Sequence, residues 1–364
     1  MKKALVMILA ISLLLSGCGS WMTGEYHSVS PHKVKEQSVE QTIPSVSDYN
    51  QLRNALEDLV EAGATTGRLS VEEYRASALE SNMLLATEDI KKNHPIGAYA
   101  VEDISYELGT TGGLTAIAVT IRYTRDPEEL QNIKPADNME KAKELITDAL
   151  SQCDSAVVFR VQNYEKTDLV QLVEDYAAAN PDLVMEVPQV AVSVYPESGK
   201  ERVVDLRFVY QTNRESLRQM QNYVQPVFTS AALYVSSEEE SNIVKFARLY
   251  TFLMERNDYK VETSITPAYS LLRHGVGDNR AFSQVYAAMC RKAGLECLVV
   301  TGTHNGEARF WNIIFDGQIY YHVDLLSPSG FIIYSDHQMN GYVWDYSAYP
   351  ACGVVQQPTT GQTE

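Results

Sequence analysis

The sequence is poor in cysteine, in positive charge and in long apolar runs. Its 364 residues include only five cysteines, and no two of them form a Cys-x-x-Cys pair, which argues against a zinc site. Acidic residues outnumber basic ones by 47 to 30, so the formal net charge is −17. That charge argues against binding to nucleic acid and against direct contact with anionic lipid headgroups. We therefore expect no metal and no nucleic-acid partner, and we predict no cofactor.

The first residues of the chain contain an apolar run. Lys2 and Lys3 precede the apolar segment from Ala4 to Leu15, which is shorter than the roughly 20 residues that span a bilayer. A charged start, a short apolar segment and small residues before a cleavage point are typical of an export signal. We predict that residues 1–17 are a signal peptide.

The end of this segment, Leu15-Ser-Gly-Cys18, resembles a bacterial lipoprotein lipobox. The resemblance implies cleavage before Cys18 and attachment of lipid, such as palmitate, to that residue. Two or more acyl chains anchor a protein stably. We therefore predict a lipoprotein anchored through Cys18 to the extracytoplasmic face of the bacterial cell membrane. An ordinary secretory signal with an incidental cysteine is the alternative.

Composition divides the rest of the chain into a linker, a globular part and a tail. Residues 18–48 are rich in Ser, His, Gln, Pro and Lys and have few large apolar side chains, which predicts a flexible linker. About 300 residues of ordinary apolar content follow, enough for two domains. We predict domains over residues 49–235 and 236–352 and a disordered tail over residues 353–364.

The first predicted domain contains an internal repeat. The segment Ile117–Leu130 matches Val204–Leu217, and in each one apolar residues alternate before a helix start. Asp126 and Asn213 are the predicted N-caps of the two helices. A further strand precedes each segment and closes a hairpin with it. The pattern predicts an α+β domain with two similar ββα units.

The second predicted domain starts with an amphipathic helix and ends in two hairpins. A further helix is expected to begin at Asp278 or Asn279 and to end at Gly294. Strand 298–302 follows, and Asn305-Gly306 is a strong signal for a hairpin turn. A second hairpin is predicted around the next Asp-Gly pair.

This order of elements resembles the transglutaminase-like (papain-like) superfamily over roughly residues 240–350. Four sequence pieces carry the resemblance: Asn279-Arg-Ala-Phe-Ser283, Gly294-Leu-Glu-Cys297 with Val299-Val-Thr-Gly302, Arg309-Phe-Trp-Asn312, and Tyr320-Tyr-His-Val-Asp324. The resemblance implies a helix packed on an antiparallel sheet in an α+β fold. It also implies a catalytic Cys, His and Asp.

Two of the three implied catalytic positions hold other residues. Asn279 stands at the position of the Cys and Arg309 at that of the His, while Asp324 keeps its identity. An amide is neither a nucleophile nor a base, and a guanidinium stays protonated and has no acceptor. We therefore predict a catalytically degenerate domain, a pseudoenzyme.

The second hairpin predicts where these side chains lie. A two-residue loop at Asp316-Gly317 would place Arg309 directly opposite Asp324, and Trp311 opposite His322. Opposed unlike charges stabilise a sheet by about 0.2–1 kcal/mol. We therefore predict an ion pair where the superfamily has a catalytic dyad.

The main functional hypothesis is a binding or scaffolding module. Its ligand would be a peptide, a cell-wall fragment or a partner protein, held in a cleft formed by Asn279, Arg309, Trp311 and Asp324. Because Arg309 would make that cleft less acidic than the surface, we predict a ligand carboxylate.

Two other hypotheses remain open. One is an active peptidase, amidase or acyltransferase with a non-standard nucleophile. Ser283 is then the candidate nucleophile, and His322, which shares a sheet face with Asp324, is the candidate base. The other hypothesis assigns the function to the domain with the repeat. The later cysteines are interpreted as buried free thiols, with disulfides as the alternative.

Overall fold

A computed structural model of the protein describes residues 43–111, 114–255 and 259–354. The predicted signal peptide, the predicted lipidation site Cys18 and most of the predicted linker and tail lie outside these residues. The described chain forms one compact unit from Ser45 onward. None of the helices in the described ranges is long and apolar enough to cross a membrane.

The described residues contain helices α1 to α10 and strands β1 to β11. The helices are α1 (Tyr49–Glu61), α2 (Ala76–Asn93), α3 (Pro95–Ala100), α4 (Pro127–Gln131), α5 (Met139–Ser151), α6 (Leu169–Ala179), α7 (Arg214–Tyr234), α8 (Asn242–Met254), α9 (Pro267–His274) and α10 (Asn279–Lys292). The strands are β1 (Thr66–Ser70), β2 (Val101–Thr111), β3 (Leu114–Tyr123), β4 (Lys134–Asn138), β5 (Ala156–Asn163), β6 (Gln189–Tyr195), β7 (Arg202–Val209), β8 (Cys297–His304), β9 (Glu307–Phe315), β10 (Tyr320–Val323) and β11 (Tyr342–Trp344). A 3-10 turn spans Asp336–Gln338.

The strands form three sheets. The first has the order β1-β3-β2 and is antiparallel. The second has the order β4-β5-β7-β6, in which β4 is parallel to β5 and the other pairs are antiparallel. The third has the order β10-β9-β8-β11 and is antiparallel. The protein therefore has an α+β fold, as predicted.

The two predicted ββα units lie in different sheets. Strands β2 and β3 lead into α4, and strands β6 and β7 lead into α7. Asn213 caps α7 by accepting a hydrogen bond from the Ser216 backbone N–H at 2.9 Å. Asp126 precedes α4, with Pro127 at the first helical position. Since α4 has 5 residues and α7 has 21, the units share their order of elements but not the packing of their helices.

Contacts near both ends of the described residues reach beyond the predicted domain limits. Ser45 bridges to Ser70, and Val46 is buried in the core of the first half. Near the other end, the Gly353 backbone N–H donates to the Tyr320 carbonyl oxygen at 2.8 Å. These contacts involve residues that fall inside the predicted linker and tail, and the bounds 18–48 and 353–364 stay predictions.

Helix α7 contributes to the core of the C-terminal part. Its Leu217, Val224 and Phe228 are buried in one apolar cluster with residues of α8, α9 and α10. Its Gln221 and Gln225 donate side-chain hydrogen bonds to backbone carbonyls of the first half. The predicted domain boundary between residues 235 and 236 therefore falls after a helix that contacts both sides. That boundary stays a prediction.

Both faces of the third sheet are covered. Successive residues of a strand face opposite sides. In β9, Asn312 and Ile314 face α10. Asn312 donates a hydrogen bond to the backbone of that helix, and Ile314 joins the apolar cluster that includes its side chains. Trp311 and Ile313 instead pack with the C-terminal segment, residues 334–352. The sheet thus separates α10 from the C-terminal segment.

Candidate functional site

The β9–β10 hairpin has a longer loop than predicted. Phe315 pairs with Tyr320 instead of Gln318, which corrects the predicted register by two residues. The cause is the carboxylate of Asp316, which accepts from two backbone N–H groups of the turn at 2.7 Å and stabilises a loop over residues 316–319. Because side chains alternate with a period of two, this shift leaves every side chain on its predicted face.

Arg309 and Asp324 form the predicted ion pair despite the corrected register. The Arg309 Nε and one of its Nη atoms donate to both carboxylate oxygens at 2.7 to 2.9 Å. The two residues lie diagonally across the strands, within reach of a long side chain. Tyr342 Oη donates to the same carboxylate at 2.6 Å, and the Leu326 backbone N–H donates at 3.0 Å. Asp324 is only 3% exposed, so these donors satisfy a buried charge.

This arrangement holds a carboxylate but offers no base. Burial raises the pKa of Tyr342, and the hydrogen bond to Asp324 raises it further, so the phenol remains a donor. Arg309 stays protonated and has no lone pair to accept a proton. The Asp324 oxygens are already occupied by donors from three residues. The pair therefore lacks the acceptor that the activation of a nucleophile requires.

Asn279, at the position of the nucleophile, is the first residue of α10 and is half-buried. Its neighbour Asp278 caps the helix by accepting from the Ala281 backbone N–H at 2.8 Å. Within the described ranges, no hydrogen bond or ion pair connects Asn279 with Arg309 or Asp324. The three superfamily positions therefore do not form a bonded triad.

Ser283 and His322, the candidate nucleophile and base of the alternative hypothesis, are not brought together. Ser283 is 1% exposed on α10, and its carbonyl oxygen accepts from Asn312 Nδ2 at 3.0 Å. His322 lies on the other face of the third sheet, where it contacts Trp311. The sheet separates the two side chains, which contradicts the idea that a shared sheet face would let His322 serve Ser283.

Both ring nitrogens of His322 already have partners. Nδ1 accepts from Trp311 Nε1 at 3.0 Å, and Nε2 lies 2.9 Å from the Asp336 carboxylate. Because an indole N–H can only donate, Nδ1 is the acceptor and Nε2 carries the proton. Burial lowers the pKa of His322, although Asp336 opposes this shift. The imidazole is therefore a neutral, buried link in a hydrogen-bond chain.

Trp311 is fully buried, which corrects its assignment to an open cleft. Its ring lies edge-on to Tyr342 and Trp344, at centroid distances of 5.1 and 5.7 Å. Gly302 on the neighbouring strand permits this packing, because a Cβ there would lie 2.7 Å from the Trp311 ring. The same Cβ would lie 2.3 Å from the Val343 carbonyl oxygen. These residues of the superfamily motifs therefore serve packing.

One cluster of side chains has the spacing of metal ligands. The ligand atoms of His322, Asp336 and Cys352 lie within 4.8 Å of one another. A metal on His322 Nε2 would move the ring proton to Nδ1, against the N–H of Trp311, and would break that hydrogen bond. Burial and Asp336 raise the pKa of the Cys352 thiol to about 12, which disfavours the thiolate that binds metals. The cluster therefore fits a hydrogen-bond network better than a metal site.

The described cysteines are free thiols, in agreement with the interpretation favoured from the sequence. Cys153, Cys290 and Cys352 are buried, and Cys297 is half-buried. Burial raises the pKa of Cys290 well above its ordinary value. Burial also raises the pKa of Cys153 and Cys352, so the three buried thiols lack the exposed, low-pKa character of a reactive cysteine.

Sequence reasoning missed Arg280, which follows Asn279 at the start of α10. Its side chain is exposed, and its guanidinium carbon lies 5.4 Å from the centre of the Phe310 ring. Unlike Arg309, Arg280 has no ion pair in the part of the chain that the structure describes. Only the packing of α10 against β9 reveals this contact, because 30 positions separate the two residues in the sequence. Arg280 therefore supplies the exposed positive charge beside Asn279.

A family model described as "Transglutaminase-like superfamily" matches residues 229–345. A solved structure described as a TGase is 13% identical, with a TM-score of 0.26, and the match covers 65% of this chain and 68% of that one. A structure described as a "putative protease" from Parabacteroides distasonis is 8% identical, with a TM-score of 0.22. That match covers 74% of this chain and 44% of the other. No curated protein gave a significant match.

The matched range agrees with the observed elements. It starts inside α7, whose side chains join the core of α8 to α10, and it ends directly after β11. It includes the helix α10, the sheet β10-β9-β8-β11 and all three positions of the implied triad. Residues 229–345 therefore form a domain of the transglutaminase-like superfamily.

Proposed function

We propose that this protein is a lipid-anchored binding or scaffolding module whose transglutaminase-like domain does not catalyse acyl transfer. The observation that carries the proposal is the ion pair of the half-buried Arg309 with the buried Asp324 at the positions of the His and the Asp. A carboxylate that accepts hydrogen bonds from a guanidinium, a phenol and a backbone N–H holds the sheet together. It does not orient a base.

The chemistry of the superfamily needs two groups that are replaced here. Acyl transfer through a covalent intermediate requires a nucleophile and a base that takes its proton. Asn279 offers an amide, and Arg309 offers a permanent cation. The loss of the nucleophile or the base from the triad of a serine protease lowers kcat by roughly 10⁶-fold. Two such losses together favour a non-catalytic role.

The surface beside Asn279 is the proposed ligand site. The charge of Arg309 is neutralised by Asp324, so Arg309 attracts a negatively charged ligand only weakly. Arg280 is exposed and lies over the ring of Phe310, which together present a cation and an apolar surface. This combination supports a ligand with a carboxylate next to an apolar group, such as a peptide end or a cell-wall peptide.

The anchor is the second part of the proposal. The lipobox-like segment before Cys18 supports lipid attachment there and a location on the extracytoplasmic face of the cell membrane. Metabolic labelling with a palmitate analogue is expected to mark the wild-type protein and not the Cys18→Ser variant. Equal labelling of both proteins would contradict the anchor at Cys18.

Binding to the proposed site is tested with Arg280→Glu. We expect this variant of the full-length protein to bind soluble peptidoglycan fragments or casein-derived peptides about tenfold more weakly, because it reverses the exposed charge. Arg202→Glu is the matched control, since Arg202 also lies over an aromatic ring, that of Tyr164 at 4.6 Å, but on β7. Calorimetry gives the Kd values.

The same titrations have two outcomes that count against this site. Affinity for these probes that is unchanged by Arg280→Glu would place the ligand elsewhere. Equal weakening by Arg280→Glu and Arg202→Glu would indicate general charge attraction instead of a defined surface.

A further inference from the structure

A groove of about 660 Å³ lies between helix α2 and strand β2. Its helix side is one face of α2, on which residues recur every three or four positions. The lining residues there are Ser77, Glu80, Ser81, Met83, Leu84, Thr87 and Glu88. Its strand side consists of the four consecutive residues 103–106. Because successive side chains of a strand point to opposite faces, four consecutive lining residues place the groove along the edge of β2.

That edge of the first sheet is unpaired in the part of the chain that the structure describes. In the order β1-β3-β2, the 11 residues of β2 pair with β3 on one side. Half of the N–H and C=O groups of β2 therefore point away from the sheet. An edge of this kind accepts an added strand, which would lie about 4.8 Å from β2. The groove is where such a strand would run.

Apolar side chains are exposed along this groove. Leu84 on α2 is 65% exposed, and Leu108, two residues beyond the strand side of the groove, is 62% exposed. Tyr106, which lines the groove on β2, is half-buried. An added peptide with apolar side chains on one face would cover these surfaces.

The charge of the groove is acidic. Glu80, Glu88 and Asp103 are lining residues, and the lining includes no Lys, Arg or His. Asp103 pairs with Arg122 at 3.2 Å, and Glu88 pairs with Lys91 at 3.9 Å, but both pairs are solvent-exposed. Exposed pairs are weak, so cations of a ligand can compete for these carboxylates.

We propose that the edge of β2 binds an extended peptide of a partner protein in which apolar and cationic side chains alternate. The peptide backbone pairs with β2, its apolar face covers Leu84 on the side of α2, and its cations on the other face meet Asp103. Alternation follows from the two faces of a strand. This proposal is independent of the surface beside Asn279.

The test compares two labelled probes of equal charge on the full-length protein. One is an eight-residue peptide of alternating Val and Lys, and the other alternates Pro and Lys. The second keeps the cations, but proline has no N–H and does not pair as a strand. Fluorescence anisotropy is expected to give a Kd about tenfold lower for the Val-Lys peptide. Equal Kd values, or no detectable binding of the Val-Lys peptide, would overturn the proposal.

Two neighbouring leucines provide matched variants. Leu84 and Leu85 are 65% and 59% exposed on α2, and only Leu84 lines the groove. Leu84→Lys is expected to raise the Kd of the Val-Lys peptide about tenfold, because it removes an apolar contact and repels the cations. Leu85→Lys is expected to change the Kd less than about twofold. Equal effects of the two variants, or no effect of Leu84→Lys, would contradict binding in the groove.

Discussion

Arg309 stands where the resemblance implies a histidine, and this replacement changes the role of Asp324. A carboxylate beside a histidine orients the imidazole and stabilises its charged form during proton transfer. Beside Arg309 it faces a permanent cation, at 2.7 Å, and has no proton to exchange. A buried pair of this kind contributes mainly by satisfying two charges that would otherwise be costly to bury.

The stability of the protein is therefore expected to depend on Arg309. Arg309→Ala should lower the free energy of unfolding by about 3–5 kcal/mol, because it leaves the Asp324 carboxylate buried without its cation. Lys260→Ala is the control, since the pair of Lys260 and Glu262 is 73% and 55% exposed and its loss should not be measurable. Urea denaturation followed by circular dichroism measures both. Equal effects of the two variants would argue against a structural role for the pair.

Single residues also explain how far sequence reasoning about the site was accurate. Alternation along β9 and β10 predicted that Arg309 and Asp324 share a face, and a two-residue error in register did not change that. The error arose from Asp316, whose side chain forms part of the turn. The contact of His322 with Asp336 was not predicted, because it depends on how the irregular C-terminal segment folds over the sheet.

Among the elements, helix α7 is notable because it joins the core of the C-terminal part although it precedes the predicted domain boundary. Its start at Asn213 was predicted from the capping residue, and its apolar face was readable from the spacing of Leu217, Val224 and Phe228. The period of a helix defines which face is buried but not which partner covers it. The structure places these side chains against α8, α9 and α10, so the helix belongs to two parts of the chain at once.

The role of α7 predicts where the chain can be divided. A fragment of residues 212–352, which keeps α7, is expected to unfold cooperatively on heating. A fragment of residues 236–352 is expected to lack a cooperative transition. It loses three large core side chains, each worth about 2–5 kcal/mol, against a typical total stability of 5–15 kcal/mol.

Thermal melts followed by circular dichroism compare the two fragments. Phe228→Ala in the longer fragment is an internal check, and it is expected to lower Tm because it opens a cavity in the same core. Cooperative melting of residues 236–352 at the Tm of the longer fragment would contradict the role given to α7.

Within the whole molecule, the transglutaminase-like domain keeps the packing residues of the motifs that carry the resemblance, and it holds other residues at the implied Cys and His positions. Trp311 fills the core under the C-terminal segment, Gly302 makes room for that ring, and Asn312 connects β9 with the carbonyl of Ser283 on α10. These side chains explain why the resemblance is readable over residues 240–350 although the Cys and His are replaced. In this chain, residues of the motifs that serve packing are retained, whereas the implied catalytic Cys and His are replaced.

The two candidate surfaces of the molecule differ in charge. The surface at Asn279 presents the cation of Arg280, whereas the groove along β2 presents three carboxylates. The groove agrees with the hypothesis that the first half of the chain has a binding role of its own. Its edge was not predicted from the sequence, because strand order in a sheet follows from long-range pairing rather than from local pattern.

The central claim is that the transglutaminase-like domain is not catalytic. The most direct measurement is the rate at which purified full-length protein converts a glutamine-containing peptide with hydroxylamine, or hydrolyses it, beside a buffer blank and the Ser283→Ala variant. We predict that the wild-type rate equals the blank and that Ser283→Ala leaves it unchanged. A wild-type rate above the blank that disappears in a folded Ser283→Ala protein would contradict the claim.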